Sequence, residues 1–200
     1  MALHPTAQKI LDETVRIIDE HGEAAVRIQD VLDSCDITPP SIYHFFGNRE
    51  GLVSEAQVAR FRRSFVENDA VLDQILDSIT SPTELRAALG AFFSMFFTPE
   101  RAIERRRRMA SMGSAEGRPD LEARFAEVID TYVEERSRRL EPFQQKGWIR
   151  PDLDLRAFNH WLIGVIFGRV YIEIGHDQLE YPAWDAIAER AAAHILFGED

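Results

Sequence analysis

Carboxylates and histidines are the groups best able to do chemistry in this chain of 200 residues, which holds 34 Asp and Glu and six His. Catalysis would need them at particular spacings: His-Glu-x-x-His for a zinc hydrolase, Gly-x-Ser-x-Gly for an acyl-transferring serine, a glycine-rich loop for a phosphate. None of these spacings occurs. His176 and Glu180 are four apart, but on a segment read as a loop two ligands make a poor metal site. No pair of carboxylates is singled out by an apolar surround that would split their pKa values. The reading is therefore a non-enzyme with no cofactor and no metal. Cys35 is the single cysteine. It can form no internal disulfide, and a small packing residue suits it better than a redox sensor.

Two stretches could recognise a partner instead. Arg105 to Arg108 is the one basic run, with Glu100 and Glu104 within helical pairing distance. Four consecutive residues point around most of a helical turn, so a solvated helix surface is expected there. The second stretch, ITPPSIYHFFGNRE from Ile37 to Glu50, sets two prolines before a cluster of aromatics. Thr38 can cap a helix with its hydroxyl, and Pro39 and Pro40 suit first-turn positions whose N–H groups have no intrahelical partner. Gly47 and Asn48 end that helix, and Asn48 is placed to cap the next one from Arg49.

The elements that position these residues are helical throughout. Apolar residues recur three and four apart, and no sustained period-two stretch argues for a sheet. Ala7, Ile10, Leu11, Thr14 and Ile18 form one stripe of a first helix that His21 and Gly22 end. A second, short helix runs from Ile28 to about Ser34, and its tight turn into Thr38 has the outline of a helix-turn-helix. Ser81-Pro82-Thr83-Glu84 has the spacing of a capping box. Later helices are expected from about Asp120 to Gln145, Asp154 to Ile174 and Ala183 to Phe197, with Gly198 as the last stop.

Composition sets bounds on the partners. No apolar run approaches a membrane span, and the N-terminus lacks the pattern of a signal peptide, so a cytoplasmic protein without membrane attachment is expected. The net charge of −11 argues against a nucleic-acid binder that works by charge alone. Residues 1–52 repeat the imbalance, with four basic side chains (Lys9, Arg16, Arg27, Arg49) against nine acidic ones.

The first 50 or so residues nevertheless resemble the DNA-binding domain of TetR/AcrR-type transcriptional regulators. The likeness rests on Gly22, the Ile28, Val31 and Leu32 face, Ile37-Thr38, Ser41-Ile42-Tyr43, Phe46, Asn48-Arg49-Glu50 and Leu52. It implies an all-α fold: a three-helix DNA-binding domain over residues 1–52, then a larger helical domain over 53–200 that dimerises and binds a small-molecule effector. It also implies that the helix carrying Ser41 and Tyr43 enters the major groove, with Tyr43 on one phosphate and Arg49, at a position where the family carries lysine, on another. The DNA-binding set is then Arg27, Thr38, Pro39, Pro40, Ser41, Tyr43, His44 and Arg49, with Lys9 as a further contact that no motif position supports. The prolines either only start the helix or also fix its groove-entering end. Two departures stand out: Asp36 occupies a turn position that usually holds Gly, and Arg27 a capping position that usually holds Ser or Thr. Asp tolerates a left-handed conformation, so the turn should survive. Tyr43→Phe or Arg49→Ala is expected to weaken DNA binding without changing thermal stability.

Past residue 52 the likeness is one of layout. Phe158, Leu162, Gly164, Val165 and Gly168 on one helix, with Ala188, Ala191, Ala192 and Ile195 on the last, form small and apolar faces suited to a homodimer interface, though burial within one subunit would produce the same pattern. Phe92, Phe93, Phe96 and Phe97 put aromatics on more than one helix face, and Met109, Met112, Phe125, Tyr132 and Trp161 could complete an apolar ligand pocket, although each taken singly suits ordinary core. The resemblance implies a repressor released from a two-fold symmetric operator by a small molecule, and the aromatics favour an apolar or aromatic effector. The rival reading keeps the helical dimer but drops operator binding, leaving ligand or protein binding as its role.

Overall fold

A computed structural model describes residues 3–66, 69–174 and 180–198. His176 lies outside the described residues. Ten α-helices and two short 3-10 turns account for the regular structure, with no strand among the described residues, so the protein is all-α. Packing separates two compact units, one of residues 1–64 and 110–126, the other of 65–109 and 127–200.

The first unit begins with α1 (Pro5–His21), whose Ala7, Ile10, Leu11, Thr14 and Ile18 are all buried. Thr14 can lie there because its hydroxyl donates to the Ile10 carbonyl at 2.8 Å. Gly22, at φ 83°, ends α1 by donating its N–H to Ile18 O. After a 3-10 turn (Glu23–Ala25) come α2 (Ile28–Cys35), α3 (Pro39–Phe46) and α4 (Arg49–Val66). Asp36 does take the left-handed conformation, φ 51° and ψ 54°, at the end of α2. Asn48 caps α4, its Oδ1 accepting the Gly51 N–H at 2.8 Å. Val31, Leu32, Cys35, Ile42, Leu52 and Val53 close a core against α1.

One cap differs from the sequence expectation. Thr38 precedes α3 in extended conformation but its hydroxyl makes no capping bond. Pro39 and Pro40 remove the first two donors, and the third, Ser41 N–H, goes to the Thr38 carbonyl at 3.0 Å. The hydroxyl has no donor left to accept from.

The second unit is built from α5 (Asp69–Ser78), α6 (Pro82–Phe96), α9 (Leu155–Glu173), α10 (Pro182–Phe197) and parts of α7 (Ala102–Gly113) and α8 (Pro119–Gln145). The capping box forms with a shift of one residue: Ser81 Oγ accepts Glu84 N–H at 3.2 Å, while the Glu84 carboxylate accepts from Thr80 N–H at 2.6 Å. Asp154 caps α9 by accepting from the Arg156 and Ala157 N–H groups, and Gly198, at φ 72°, ends α10.

The basic run corrects a second expectation. Arg106 and Arg107 are exposed, but Arg105 and Arg108 are buried, at 4% and 7% exposure. Arg105 pairs with the fully buried carboxylate of Glu173 and donates to Phe96 O at 2.5 Å. Arg169, also buried, lies 3.6 Å from Glu173 and donates to Asp185 at 3.0 Å. Arg108 sits 4.7 Å over the Phe65 ring. A buried guanidinium needs such partners, and these come from helices far away in sequence.

Candidate nucleic-acid interface and ligand cavity

The outward face of α3 is set by what lies beneath it. Ile42 is fully buried, and Phe45 and Phe46 pack at the edge of the same core. With those positions turned inward, Thr38, Pro39, Pro40, Tyr43 and His44 are exposed and Ser41 is half-buried. Tyr43 keeps 59% of its surface open. Phe45 stacks on His4 at 5.3 Å and meets His44 edge-on at 4.8 Å, which steadies the exposed side of the helix. Because the first turn holds two prolines and a bonded Ser41, α3 presents side chains to a partner, with few open backbone donors.

The cations of residues 1–52 are mostly engaged. Lys9 donates to the Cys35 carbonyl at 2.6 Å, which holds the end of α2 against α1. Arg16 is bound between Glu13 and Glu20. Arg49 donates to Val26 O at 2.8 Å and to Glu23 O at 3.1 Å, tying the start of α4 to the 3-10 turn ahead of α2. Arg27 is exposed at the start of α2 and makes no capping bond. Cys35 is buried among these groups, and burial pushes its thiol up from its usual range.

Residues 10–56 match the family described as bacterial regulatory proteins, tetR family. The match spans the core of α1, the turn at Asp36, the exposed face of α3 and the first turns of α4. The chain's likeness is to TetR-type regulators.

Relatives within the curated proteins agree. The HTH-type transcriptional regulator UidR of Escherichia coli K12 is 27% identical over 171 residues, 82% of this chain and 79% of that protein. The HTH-type transcriptional repressor KstR2 of Mycobacterium tuberculosis H37Rv is 27% identical over 152 residues, 74% of this chain and 70% of that one. A transcriptional regulator from Saccharomonospora viridis, solved in complex with choline, superposes with a TM-score of 0.66 over 95% of this chain and 96% of that one, at 17% identity, a likeness of fold.

The second unit holds a cavity of about 100 Å³ among α5, α6, α8, α9 and α10. Of the residues expected in a pocket, Phe92 and Tyr132 line it. Phe93, Phe96 and Phe97 are buried in the same core, and Trp161 packs against that core through Phe158. Phe125 belongs to the other unit, where it stacks on Phe61 at 4.4 Å, and Met112, in the same unit, is exposed. Met109 is half-buried near the end of α7. Leucines that no sequence pattern distinguished, such as Leu72, Leu89 and Leu140, also line it, together with Arg136 and Asn159.

The expected interface residues also divide. Phe158, Ala188 and Ala192 are buried within the single chain, and Leu162 lines the cavity. Gly164 and Gly168 are exposed, Val165, Ala191 and Ile195 half-buried. Tyr171 and Ile187, which the sequence reading did not select, extend those two stripes by one turn with 82% and 59% of their surfaces open. Helical spacing alone could have found both, since each lies three or four residues from its neighbour in the stripe.

A further set of residues emerges only in three dimensions. Arg118, near the start of α8, donates to both oxygens of Glu23 at 2.9 and 3.1 Å and to Ser54 Oγ at 3.1 Å. Gln57 donates to the same Glu23 at 2.8 Å. The 3-10 turn is therefore held on two sides, by Arg49 through its backbone and by Arg118 and Gln57 through its side chain.

Proposed function

We propose that this TetR-type chain is a ligand-responsive, sequence-specific DNA-binding regulator that acts as a cytoplasmic homodimeric repressor. Residues 1–52 carry the DNA-binding helices and 53–200 the effector and dimer functions. The observation that carries the reading is the exposed face of α3, Thr38, Pro39, Pro40, Tyr43 and His44, seated on a fully buried Ile42. Such a helix is rigidly positioned and has no apolar face of its own left to cover. Arg27 supplies an exposed cation at the start of α2.

A repressor is favoured by the relative named as one, and a small apolar or aromatic effector by the cavity in the second unit. Two α3 helices must lie one helical turn of DNA apart to read a two-fold operator, so the dimer sets the spacing. The stripe of Gly164, Gly168 and Tyr171 with Ile187 and Ala191 suits that contact. An effector releases DNA if it binds best to the conformation whose spacing is wrong.

Selection of bound fragments from random duplex DNA, at about 50 and 200 mM salt, tests this reading. Recovery of a two-fold symmetric site, with affinity lowered at least a few-fold by Tyr43→Phe at unchanged thermal stability, is the expected result. The rival reading, a dimer without operator binding, is favoured by the engagement of Lys9, Arg16 and Arg49 within the chain. Failure of folded, dimeric protein to enrich any site decides for the rival.

A further inference from the structure

The charged side chain on the wall of the second unit's cavity is already engaged. Arg136 donates through Nη2 to Asp73 Oδ1 at 2.9 Å, and its guanidinium lies 5.8 Å over the Tyr132 ring. Tyr132, on the same wall, also rests against Phe65 with ring centroids 4.8 Å apart. Leucines, Ile75 and Phe92 make up much of the remaining lining. An ion entering such a surround gives up its hydration and finds the charged group on the wall already paired. The cavity therefore suits an uncharged molecule.

Asn159 narrows the chemistry further. It is 6% exposed and lines the same cavity. Its amide nitrogen donates twice, to Ser137 Oγ at 3.2 Å and to Leu155 O at 2.8 Å. Ser137 gives its own hydroxyl hydrogen to Val133 O at 2.7 Å, so toward Asn159 it can only accept, as can the Leu155 carbonyl. These two partners fix which end of the amide is nitrogen and use both of its hydrogens. The oxygen remains, and among the described residues Oδ1 accepts no hydrogen bond. Nor is it sealed in by its neighbours, unlike the unpartnered Oε2 of Glu173. For a side chain this buried, the space its oxygen reaches is the cavity it lines.

Resting on the effector reading above, we infer that the ligand class of this cavity is a small neutral alcohol, a hydroxyl on a short apolar body, and that Asn159 is the residue that reads the hydroxyl. A buried acceptor without a donor is costly, so a ligand that supplies the donor gains more than its carbon body alone would bring. The oxygen is in place before the ligand arrives, because Ser137 on α8 and Leu155 on α9 hold the other end of the amide. A ketone of the same skeleton has no donor and sets its oxygen against Oδ1. A dry apolar cavity of about 150 Å³ takes up benzene. The cavity here, at about 100 Å³, suits a body of roughly four or five carbons by the same measure.

Titration calorimetry of the full-length protein with cyclopentanol and butan-2-ol, each matched to the ketone of the same skeleton, and with butyrate and butylammonium, tests the inference. Each alcohol should bind about ten-fold more tightly than its ketone, and neither ion should bind at the same concentrations. Asn159→Leu, which keeps the size and removes the acceptor, should bring alcohol and ketone to equal affinity. Leu89→Trp, which fills the cavity and leaves Asn159 in place, should abolish the binding of both. If Asn159→Leu does not fold, the alcohol-to-ketone ratio of the unsubstituted protein and its loss in Leu89→Trp decide. Equal affinities for alcohol and ketone in the unsubstituted protein overturn the role of Asn159, and butyrate binding more tightly than butan-2-ol overturns the neutral class. Alcohol binding that survives Leu89→Trp overturns the cavity as the site, and no binding across the series overturns the inference. The effector reading fails separately, if the alcohol preference is found but saturating cyclopentanol leaves affinity for the selected operator unchanged.

Discussion

Arg49 and Tyr43 stand close in sequence and answer differently to substitution. Tyr43 is largely open to solvent, so losing its hydroxyl removes nothing the fold uses. Arg49 is half-buried and holds two backbone carbonyls of the segment before α2. Hydrogen bonds from a charged donor contribute about 1.5–3 kcal/mol, and carbonyls left unsatisfied add to the loss. Arg49→Met should therefore lower unfolding stability by about 1.5–3 kcal/mol in urea titration, against no measurable change for Tyr43→Phe. This geometry argues against the expectation that Arg49 can be removed without a stability cost. A fall in DNA affinity for an Arg49 variant speaks for a phosphate contact only after that loss is corrected for.

Among the elements, the ends of α7, α9 and α10 are joined by charge where hydrocarbon would ordinarily serve. Arg105 on α7, Arg169 and Glu173 on α9 and Asp185 on α10 form one network, with the Phe96 carbonyl at the end of α6 as a further acceptor. Burial pushes the Asp185 carboxyl up from its usual range even though Arg169 beside it pulls the other way. Replacing such a network with apolar residues need not destabilise, but removing a single partner leaves buried charge uncompensated. Glu173→Gln should cost about 3–5 kcal/mol, read as a shift of the chemical unfolding midpoint. Arg107→Ala, in the same basic run but exposed, should change stability by less than about 0.5 kcal/mol. The sequence showed the run but not the division within it, since Glu173 lies 68 residues from Arg105.

For the whole molecule, charge and fold pull in opposite directions. A net charge of −11 repels DNA at long range, so the proposed operator binding needs a defined surface, and two copies of it in the proposed dimer. If Arg27 meets one phosphate in each half of the proposed dimer, counterion release gives a slope of log K against log salt of about −2. Counting Lys9 and Arg49 as well brings it to about −5. Fluorescence anisotropy on the selected operator across salt concentrations measures this directly, and a slope near −10 would mean that other basic residues carry the interface.

What the sequence determined by itself was local. The helices α1 to α3, the left-handed Asp36, the Asn48 cap and the start of α6 each depend on residues within about four positions of one another, and spacing makes those visible. The outward face of α3 followed from the same rule, once Ile42 and the phenylalanines were assigned inward. Only the tertiary structure decided the rest. It buried Arg105 and Arg108, engaged Lys9 and Arg49 with backbone carbonyls, moved Phe125 away from the cavity and brought Arg136 to its wall. Each of those outcomes depends on partners more than twenty residues away or on which neighbouring helix covers a given face. Composition and periodicity show that a face must be covered; packing selects the residues that cover it.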